Sequence, residues 1–154
     1  MGHVLDLALR AKVREPMERR DAVRIDLDAG VSGDARGRTP RRQVVVVTRE
    51  GWDAACRELG DVVPWTFRRG NVLVEGLALA GTTGRRLRLG GALLEITGEC
   101  DPCENMDRQR QGLRRALVPD WRGGVMCRVL EAGPVRVGDA AVLEEPAAAR
   151  AESH

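Results

Sequence analysis

The sequence predicts a mainly β protein, built as a closed or nearly closed β-barrel that carries short helices. Three observations support this fold class. Short apolar runs, either alternating or β-branched, recur along the chain. The 18 glycines supply frequent turn signals. The strand and helix patterns lack the regular alternation that is typical of a doubly wound parallel sheet. The length of 154 residues corresponds to one domain. We place that domain at residues 1–145 and expect a flexible tail at 146–154.

The N-terminal third is predicted to hold three strands separated by loops. Alternating apolar and polar residues predict a strand over 2–9 and a weaker one over 22–27, with a loop at 14–17 between them. The glycine- and proline-rich segment 30–40 predicts a long loop, and the β-branched run 43–47 predicts a buried strand. A loop of this composition is suited to presenting backbone N–H groups to a ligand.

The rest of the chain shows two helical patterns among further short strands. Thr48 as N-cap and Gly60 as terminator predict a helix over 49–59. The segment 103–117 has helical periodicity, which Gly112 is expected to break or kink. The remaining predicted strands are 72–75, 87–89, 92–97, 125–130, 135–137 and 140–143, with turns at 90–91, 132–134 and 138–139.

Charge and hydropathy exclude some partners. The net charge is only +2, so a nucleic-acid binder driven by bulk electrostatics is not expected. No apolar run approaches the ~20 residues that cross a bilayer, and no signal-peptide pattern is present, so we expect a cytoplasmic protein without a membrane partner. Lys12 is the only lysine, and the other 24 basic residues are arginine. Codon usage alone explains such a bias, but arginine also binds phosphate in a bidentate manner and would supply an oxyanion site.

Sulfur is the most reactive side-chain chemistry that the sequence offers. The only histidines, His3 and His154, lie at the ends of the chain and tyrosine is absent, so histidine bases and histidine metal ligands are not expected. The four cysteines form one C-x-x-C pair and two isolated thiols, which disfavours zinc and indicates reduced thiols; haem is not expected either. Cys56 and Cys127 fit apolar patterns typical of core residues.

The segment 98–106 is the most informative stretch, because it places Cys100 and Cys103 in a turn that leaves a predicted strand and opens a predicted helix. A helix start favours a thiolate, whereas carboxylates in the same turn oppose it. These carboxylates belong to Glu99, Asp101, Glu104 and Asp107. Cys103 is therefore predicted to be a metal ligand or a sulfur acceptor, not a self-activated nucleophile. Cys100 is either a resolving thiol or a passenger.

Eight short motifs, in this order, resemble the MOSC domain, which is named after the C-terminal part of molybdenum cofactor sulfurases. The motifs are Gly33-Asp34, Arg42-Gln43-Val44, Arg69-Gly70-Asn71 with the strand to Gly76, Gly84 through Gly90, Pro102-Cys103, Gly112-Leu113, Gly123-Gly124 with Arg128-Val129-Leu130, and Gly138-Asp139. The resemblance covers residues 2–144.

The resemblance implies a β-barrel-like domain and a set of site residues. In family members that hold molybdenum cofactor (molybdopterin), including amidoxime-reducing enzymes, a cysteine that matches Cys103 coordinates molybdenum through sulfur. An arginine and an asparagine in a motif similar to 69–71 hold the pterin and its phosphate, which implies this role for Arg69 and Asn71. The predicted cofactor-binding set also includes Arg68, Asp34 and Arg36. The structural alternatives are a solvated turn at 68–71 and an Asx turn in the glycine loop.

The family's reductases grip the cofactor phosphate with a basic, hydroxyl-rich cluster near the N-terminus, for which this sequence offers Lys12, Arg14 and the loop 32–38. Arg42 and Arg128 are interpreted as outward-facing strand residues, and Trp52 and Trp65 as packing residues.

These observations predict a MOSC domain that binds molybdenum cofactor or a sulfurated species through Cys103. If the protein is an enzyme, we expect a molybdenum-dependent oxidoreductase that reduces N-hydroxylated small molecules with an electron-transfer partner. One alternative is a sulfur transferase, in which Cys103 carries a persulfide received from a cysteine desulfurase, so that pyridoxal phosphate belongs only to that partner in trans. The other alternative is a non-catalytic barrel that binds a partner or a small oxyanion through its arginines.

Overall fold

The computed structural model describes residues 1–145, and within this range the chain forms eleven strands and three α-helices. The strands are β1 (Gly2–Leu9), β2 (Glu18–Arg20), β3 (Ala22–Asp26), β4 (Gly30–Val31), β5 (Val44–Thr48), β6 (Val72–Glu75), β7 (Arg86–Leu89), β8 (Ala92–Glu99), β9 (Val125–Glu131), β10 (Gly133–Arg136) and β11 (Ala140–Glu144). The helices are α1 (Arg49–Leu59), α2 (Glu104–Gln109) and α3 (Leu113–Leu117), with single 3₁₀ turns at Trp65–Arg68 and Pro119–Trp121. The tail predicted at 146–154 lies outside the described residues.

Seven strands close into the predicted barrel. Their order around it is β1, β6, β5, β9, β8, β7 and β11, and β11 pairs back onto β1 through Gly2 with Ala141 and His3 with Ala140. The pairing of β5 with β6 is parallel, with α1 in the connection between them, and the other pairings around the barrel are antiparallel. Gly2 is needed at the closure, because a Cβ atom there would lie 2.1 Å from the carbonyl oxygen of Glu75.

A small second sheet lies beside the barrel in the order β10, β3, β4. It shows that the turn predicted at 132–134 is wrong, since Gly133 and Pro134 lie inside β10 and pair with Ile25 and Arg24. Proline is tolerated there because β10 is an edge strand, where its missing N–H removes no ladder bond. Gly133 fits because its Cα passes close to the Gly91 carbonyl, where a side chain would clash. The short strands β2 and β4 were also not predicted.

Two apolar clusters stabilise the fold. The barrel interior is almost entirely aliphatic and includes Cys127, which is fully buried as predicted. The second cluster lies between the barrel and the helices and contains Trp52, Trp65 and Cys100, so the packing role predicted for both tryptophans is confirmed. Cys56 is only half-buried, at the edge of this cluster.

The helices follow the local signals of the sequence. The Oγ1 atom of Thr48 accepts a hydrogen bond from the Gly51 N–H at 3.1 Å, and Gly60 ends α1 in the left-handed conformation with φ 68°. Gly112, with φ 89°, divides the predicted helical segment 103–117 into α2 and α3. Within residues 1–145, none of the helices combines the length and apolar character required to cross a membrane.

Candidate functional site

A cleft of about 200 Å³ opens beside the barrel, where the glycine-rich loop after β4, the turn before β6 and the start of α2 meet. Its lining residues are Arg10, Asp34, Arg36, Arg42, Gln43, Val45, Arg68, Arg69, Asn71, Cys103, Asn105 and Met106. This lining combines five arginines with one carboxylate and one thiol. The fold therefore concentrates positive charge around a cysteine, although the net charge of the whole protein is only +2.

Cys103 lies at this cleft as the N-cap residue of α2. Its backbone is extended, with φ −121°, and its carbonyl oxygen accepts a hydrogen bond from the Met106 N–H at 3.0 Å. The residue is exposed, and its sulfur forms no hydrogen bond with any residue in the described part of the chain. The structure therefore places this thiol and Asn71 on the same cleft, with the sulfur accessible from solution.

Arg10 is a buried positive charge that lines the cleft. It follows β1 directly, and only 6% of its surface is exposed. Its Nη1 atom is buried and has no hydrogen-bond partner in the structure. Burial lowers the pKa of Arg10, as do the neighbouring charges of Arg69 and Arg36, and the carboxylate of Asp34 offsets only part of this effect. An anion in the cleft would offset the excess positive charge around Arg10.

Besides Arg42, the sequence patterns did not identify Arg10 as a cleft residue. Its signal was an arginine placed directly after the long apolar strand now seen as β1. Lys12, which was expected to help grip a phosphate, does not line the cleft, and Arg14 lines a neighbouring one.

The carboxylate of Asp34 fastens the glycine-rich loop to the end of β1. It accepts hydrogen bonds from the backbone N–H groups of Arg10 at 3.1 Å and Arg36 at 3.3 Å. The second of these contacts has the i to i+2 spacing of an Asx turn. In the same region the Ala35 N–H donates to the Arg10 carbonyl oxygen at 2.8 Å. Asp34 thus lines the cleft while bonded to the backbone, and Arg36 is exposed at its rim.

Arg68 lines the floor of the cleft, but its guanidinium is turned into the protein. It is 2% exposed, and it donates to the carbonyl oxygens of Gly123 at 2.6 Å and Cys100 at 2.8 Å. It also donates to the Sγ atom of Cys100 at 2.7 Å. The alternative of a solvated turn is wrong for Arg68, since its charge is buried among protein acceptors.

Arg69 and Asn71 lie between Arg68 and the start of β6 in the chain, and both also line the cleft. Arg69 adopts the left-handed conformation, with φ 63° and ψ 27°, which is uncommon for a residue other than glycine. Asn71 is 5% exposed, and its side chain accepts from the Val45 N–H at 3.0 Å and donates to the Ala8 carbonyl oxygen at 3.3 Å. Asn71 therefore joins β5 to β1 through its amide while lining the cleft.

The two arginines interpreted as outward-facing differ in the structure. Arg128 is exposed and pairs with Glu95 at 2.6 Å, as predicted. The prediction for Arg42 is wrong, because this residue precedes β5 and lines the cleft. Its neighbour Gln43 is structural: its side chain donates to the Leu27 carbonyl oxygen at 2.7 Å and accepts from the Val129 N–H at 2.8 Å.

Two ionisable groups around the cysteine turn have a shifted pKa, the carboxyl group of Glu99 and the thiol of Cys127. Burial raises the pKa of Glu99, and the nearby carboxyl group of Asp101 raises it further. Burial also raises the pKa of the Cys127 thiol far above its usual range. Across residues 1–145, no group of three or more histidine, cysteine or acidic side chains is arranged to hold a metal ion.

Comparisons with known proteins agree on one fold. The family model described as the MOSC domain matches residues 33–142. Among solved structures, the YuaD protein of Bacillus subtilis is similar with a TM-score of 0.79 and 24% identity, over 94% of this chain and 97% of that one. YiiM from Geobacillus stearothermophilus gives 0.75 and 16%, over 94% and 76% of the two chains, and YiiM from Escherichia coli gives 0.68 and 19%, over 92% and 69%. None of the curated proteins matches the sequence.

Proposed function

Since the chain belongs to the MOSC domain family, as its motif order predicted, we propose that its arginine-lined cleft binds molybdenum cofactor, with Cys103 as the sulfur ligand. The observation that carries this proposal is that an exposed cysteine, Cys103, and a buried arginine with an unpartnered N–H group, Arg10, line the same cleft. The Cys103 thiol suits a soft metal, and the Arg10 guanidinium suits the phosphate of the cofactor.

The residues present fit the chemical groups of such a cofactor. Arg10, Arg36, Arg42 and Arg69 would hold the phosphate, because guanidinium groups donate two parallel hydrogen bonds to oxyanions. The cleft, at about 200 Å³, is smaller than the roughly 300 Å³ or more of common ligand pockets. Arg69 also lines a second cleft of about 280 Å³ with Phe67 and Met17. These two apolar side chains would cover the organic part of the cofactor that the first cleft does not hold.

The proposed reaction is the reduction of an N-hydroxylated small molecule. Two electrons and two protons convert R–NH–OH to R–NH₂ and water, and an external electron-transfer protein supplies the electrons. A bound molybdenum cofactor would provide the two-electron redox chemistry. The chain's own contribution is to bind the anionic end of the cofactor, to present the Cys103 sulfur and to keep the arginine charges in place through Asp34 and the barrel strands.

Expression in a host that makes molybdenum cofactor, followed by metal analysis of the purified protein, tests the proposal. The expected result is molybdenum close to one atom per chain, reduced to traces in Cys103→Ala. Equal trace amounts in both proteins would contradict cofactor binding.

A sulfur-carrier function is the second candidate, and the exposure of Cys103 favours it. In that case the Cys103 thiolate attacks the terminal sulfur of a desulfurase persulfide, so that a Cys103 persulfide forms and the desulfurase cysteine leaves as a thiolate. The intact mass after incubation with a cysteine desulfurase and cysteine should then increase by one sulfur atom. Absence of this gain, or its persistence in Cys103→Ser, would exclude the carrier function.

A further inference from the structure

Arg68 is a buried cation with no carboxylate partner among the described residues. Its acceptors are the carbonyl oxygens of Gly123, Cys100 and Asp101 and the Sγ atom of Cys100, and its Nη1 atom lies 3.8 Å from the Sδ atom of Met106. These acceptors come from the loop before β9, the cysteine turn and α2. One guanidinium group therefore joins three segments of the chain at the floor of the cleft.

The helix that begins after Cys103 depends on such contacts for its position. Helix α2 has only six residues, and helices of this length are not stable by themselves in water. Arg68 contacts its first half through Met106, and Gln109 at its end donates to the Phe67 carbonyl oxygen at 2.6 Å. The 3₁₀ turn at Trp65–Arg68 thus contacts α2 at two points, one in each half of the helix.

The Cys103 sulfur has no hydrogen bond of its own in the described chain, so the backbone on either side determines where it lies. Arg68 binds that backbone before Cys103, at Cys100 and Asp101, and contacts the helix after it, at Met106. The planar guanidinium group has several N–H donors that reach these acceptors at the same time. The compact ammonium group of a lysine cannot reproduce this arrangement.

We infer that Arg68 is a positioning residue, which holds the cysteine turn and α2 so that the Cys103 thiol faces the cleft arginines. The inference rests on the proposed function only in taking Cys103 as the functional thiol. It reassigns Arg68 from binding the cofactor to orienting the residue that does, with Gln109 as the second contact that fixes α2.

The test measures the charge environment of the Cys103 thiol without any cofactor. The rates at which anionic iodoacetate and neutral iodoacetamide alkylate Cys103 are measured by mass spectrometry of its peptide, and their ratio is compared with that of the urea-unfolded protein. A thiol held among arginines favours the anionic reagent, so the folded wild-type protein should show the higher ratio.

Arg68→Lys keeps the positive charge but removes the set of guanidinium N–H donors. We therefore expect the ratio of the iodoacetate rate to the iodoacetamide rate to fall by about threefold or more while the protein remains folded. Arg122→Lys is the matched control, because Arg122 also bonds a carbonyl oxygen, that of Ala116 at 2.9 Å, but does not line the cleft. Its ratio should equal that of the wild type. If Arg68→Lys does not fold, Gln109→Met replaces it, with an expected fall of about twofold because it removes only one contact.

A wild-type ratio in folded Arg68→Lys, or in Gln109→Met where that variant replaces it, would overturn the inference. An equal fall in Arg122→Lys would also overturn it, because the effect would then not be specific to Arg68. A protein that takes up no molybdenum, yet loses its charge preference in Arg68→Lys, would contradict the proposed function and leave the positioning role of Arg68 in place.

Discussion

The guanidinium of Arg68 donates hydrogen bonds to both the carbonyl oxygen and the sulfur of Cys100, at 2.8 and 2.7 Å. This contact gives Cys100 a structural role three residues before the exposed Cys103. Cys100 is 1% exposed and belongs to an apolar cluster with Trp65 and Met106, where its sulfur accepts a hydrogen bond from a buried cation. The two cysteines of the C-x-x-C segment thus differ in environment, since Cys100 is buried against Arg68 and Cys103 is exposed at the cleft.

Cys100→Ser should cost less stability than Cys127→Ser. At position 100 the serine hydroxyl can accept the hydrogen bond from Arg68, whereas at position 127 it would lie in the apolar barrel interior. A buried hydroxyl without a partner costs about 1–3 kcal/mol. Urea unfolding of the two variants measures the difference, which should be at least about 1 kcal/mol. Equal costs would show that Arg68 makes no useful bond at position 100.

Arg10→Met should unfold at the same temperature as the wild-type protein or a higher one in phosphate-free buffer. The substitution removes a buried charge that has an unpartnered N–H group and that Arg69 and Arg36 repel. Phosphate should then raise the unfolding temperature of the wild type but not of the variant. Arg24→Met, which removes an exposed arginine paired with Asp26, is the control and should keep the phosphate response. An undiminished response in Arg10→Met would contradict the role of Arg10.

Asn71→Ala should lower the free energy of unfolding by about 1–3 kcal/mol, even without any ligand, because it leaves the Val45 N–H and the Ala8 carbonyl oxygen without their side-chain partner. Asn105→Ala is a suitable control from the same cleft, since within residues 1–145 the Asn105 side chain bonds only the exposed Arg108. Its effect should stay within about 0.5 kcal/mol. Chemical denaturation measures both, and equal effects would refute the bridging role of Asn71.

Glu99→Gln should stabilise the protein more at neutral than at acidic pH. Burial and Asp101 raise the pKa of Glu99 in the folded state, so the folded protein binds more protons than the unfolded chain between the ordinary and the raised values. Stability of the wild type therefore falls as the pH rises through that window, and glutamine removes this loss. Thermal unfolding at about pH 4 and about pH 7 measures the difference between the two proteins. A difference that does not grow with pH would contradict the raised pKa.

The sequence predicted the elements that local signals determine. Helix α1 has its predicted bounds because Thr48 and Gly60 define them through backbone geometry. The pairing of β10 with β3 was not predictable from local patterns, since residues 133 and 25 lie far apart in the chain and meet only in the folded protein. The turn predicted at 132–134 is wrong for this reason. Pro134 lies in an edge strand, and Gly133 lies where the nearby Gly91 carbonyl leaves no room for a side chain.

Sequence patterns pointed to the thiol and to three of the five cleft arginines, Arg36, Arg68 and Arg69, but not to Arg10 or Arg42. Cys103 follows from a local pattern, whereas Arg10 and Arg42 meet only after β1 and β5 have taken their places in the barrel. Arg68 and Arg69 are adjacent and chemically identical, yet one is buried and one borders two clefts. The left-handed backbone at Arg69 separates their directions, and no sequence signal marks that conformation for an arginine.

Protection of Cys103 by phosphate tests most directly whether the thiol and the arginines act on one ligand. The rate of Cys103 alkylation by iodoacetamide is measured as phosphate is increased at constant ionic strength. We expect phosphate to slow the wild-type reaction in a saturable manner and to leave Arg10→Met unaffected, because the bound anion lies in the cleft that the thiol faces. Alkylation at the same rate at every phosphate concentration in the wild-type protein would contradict the account.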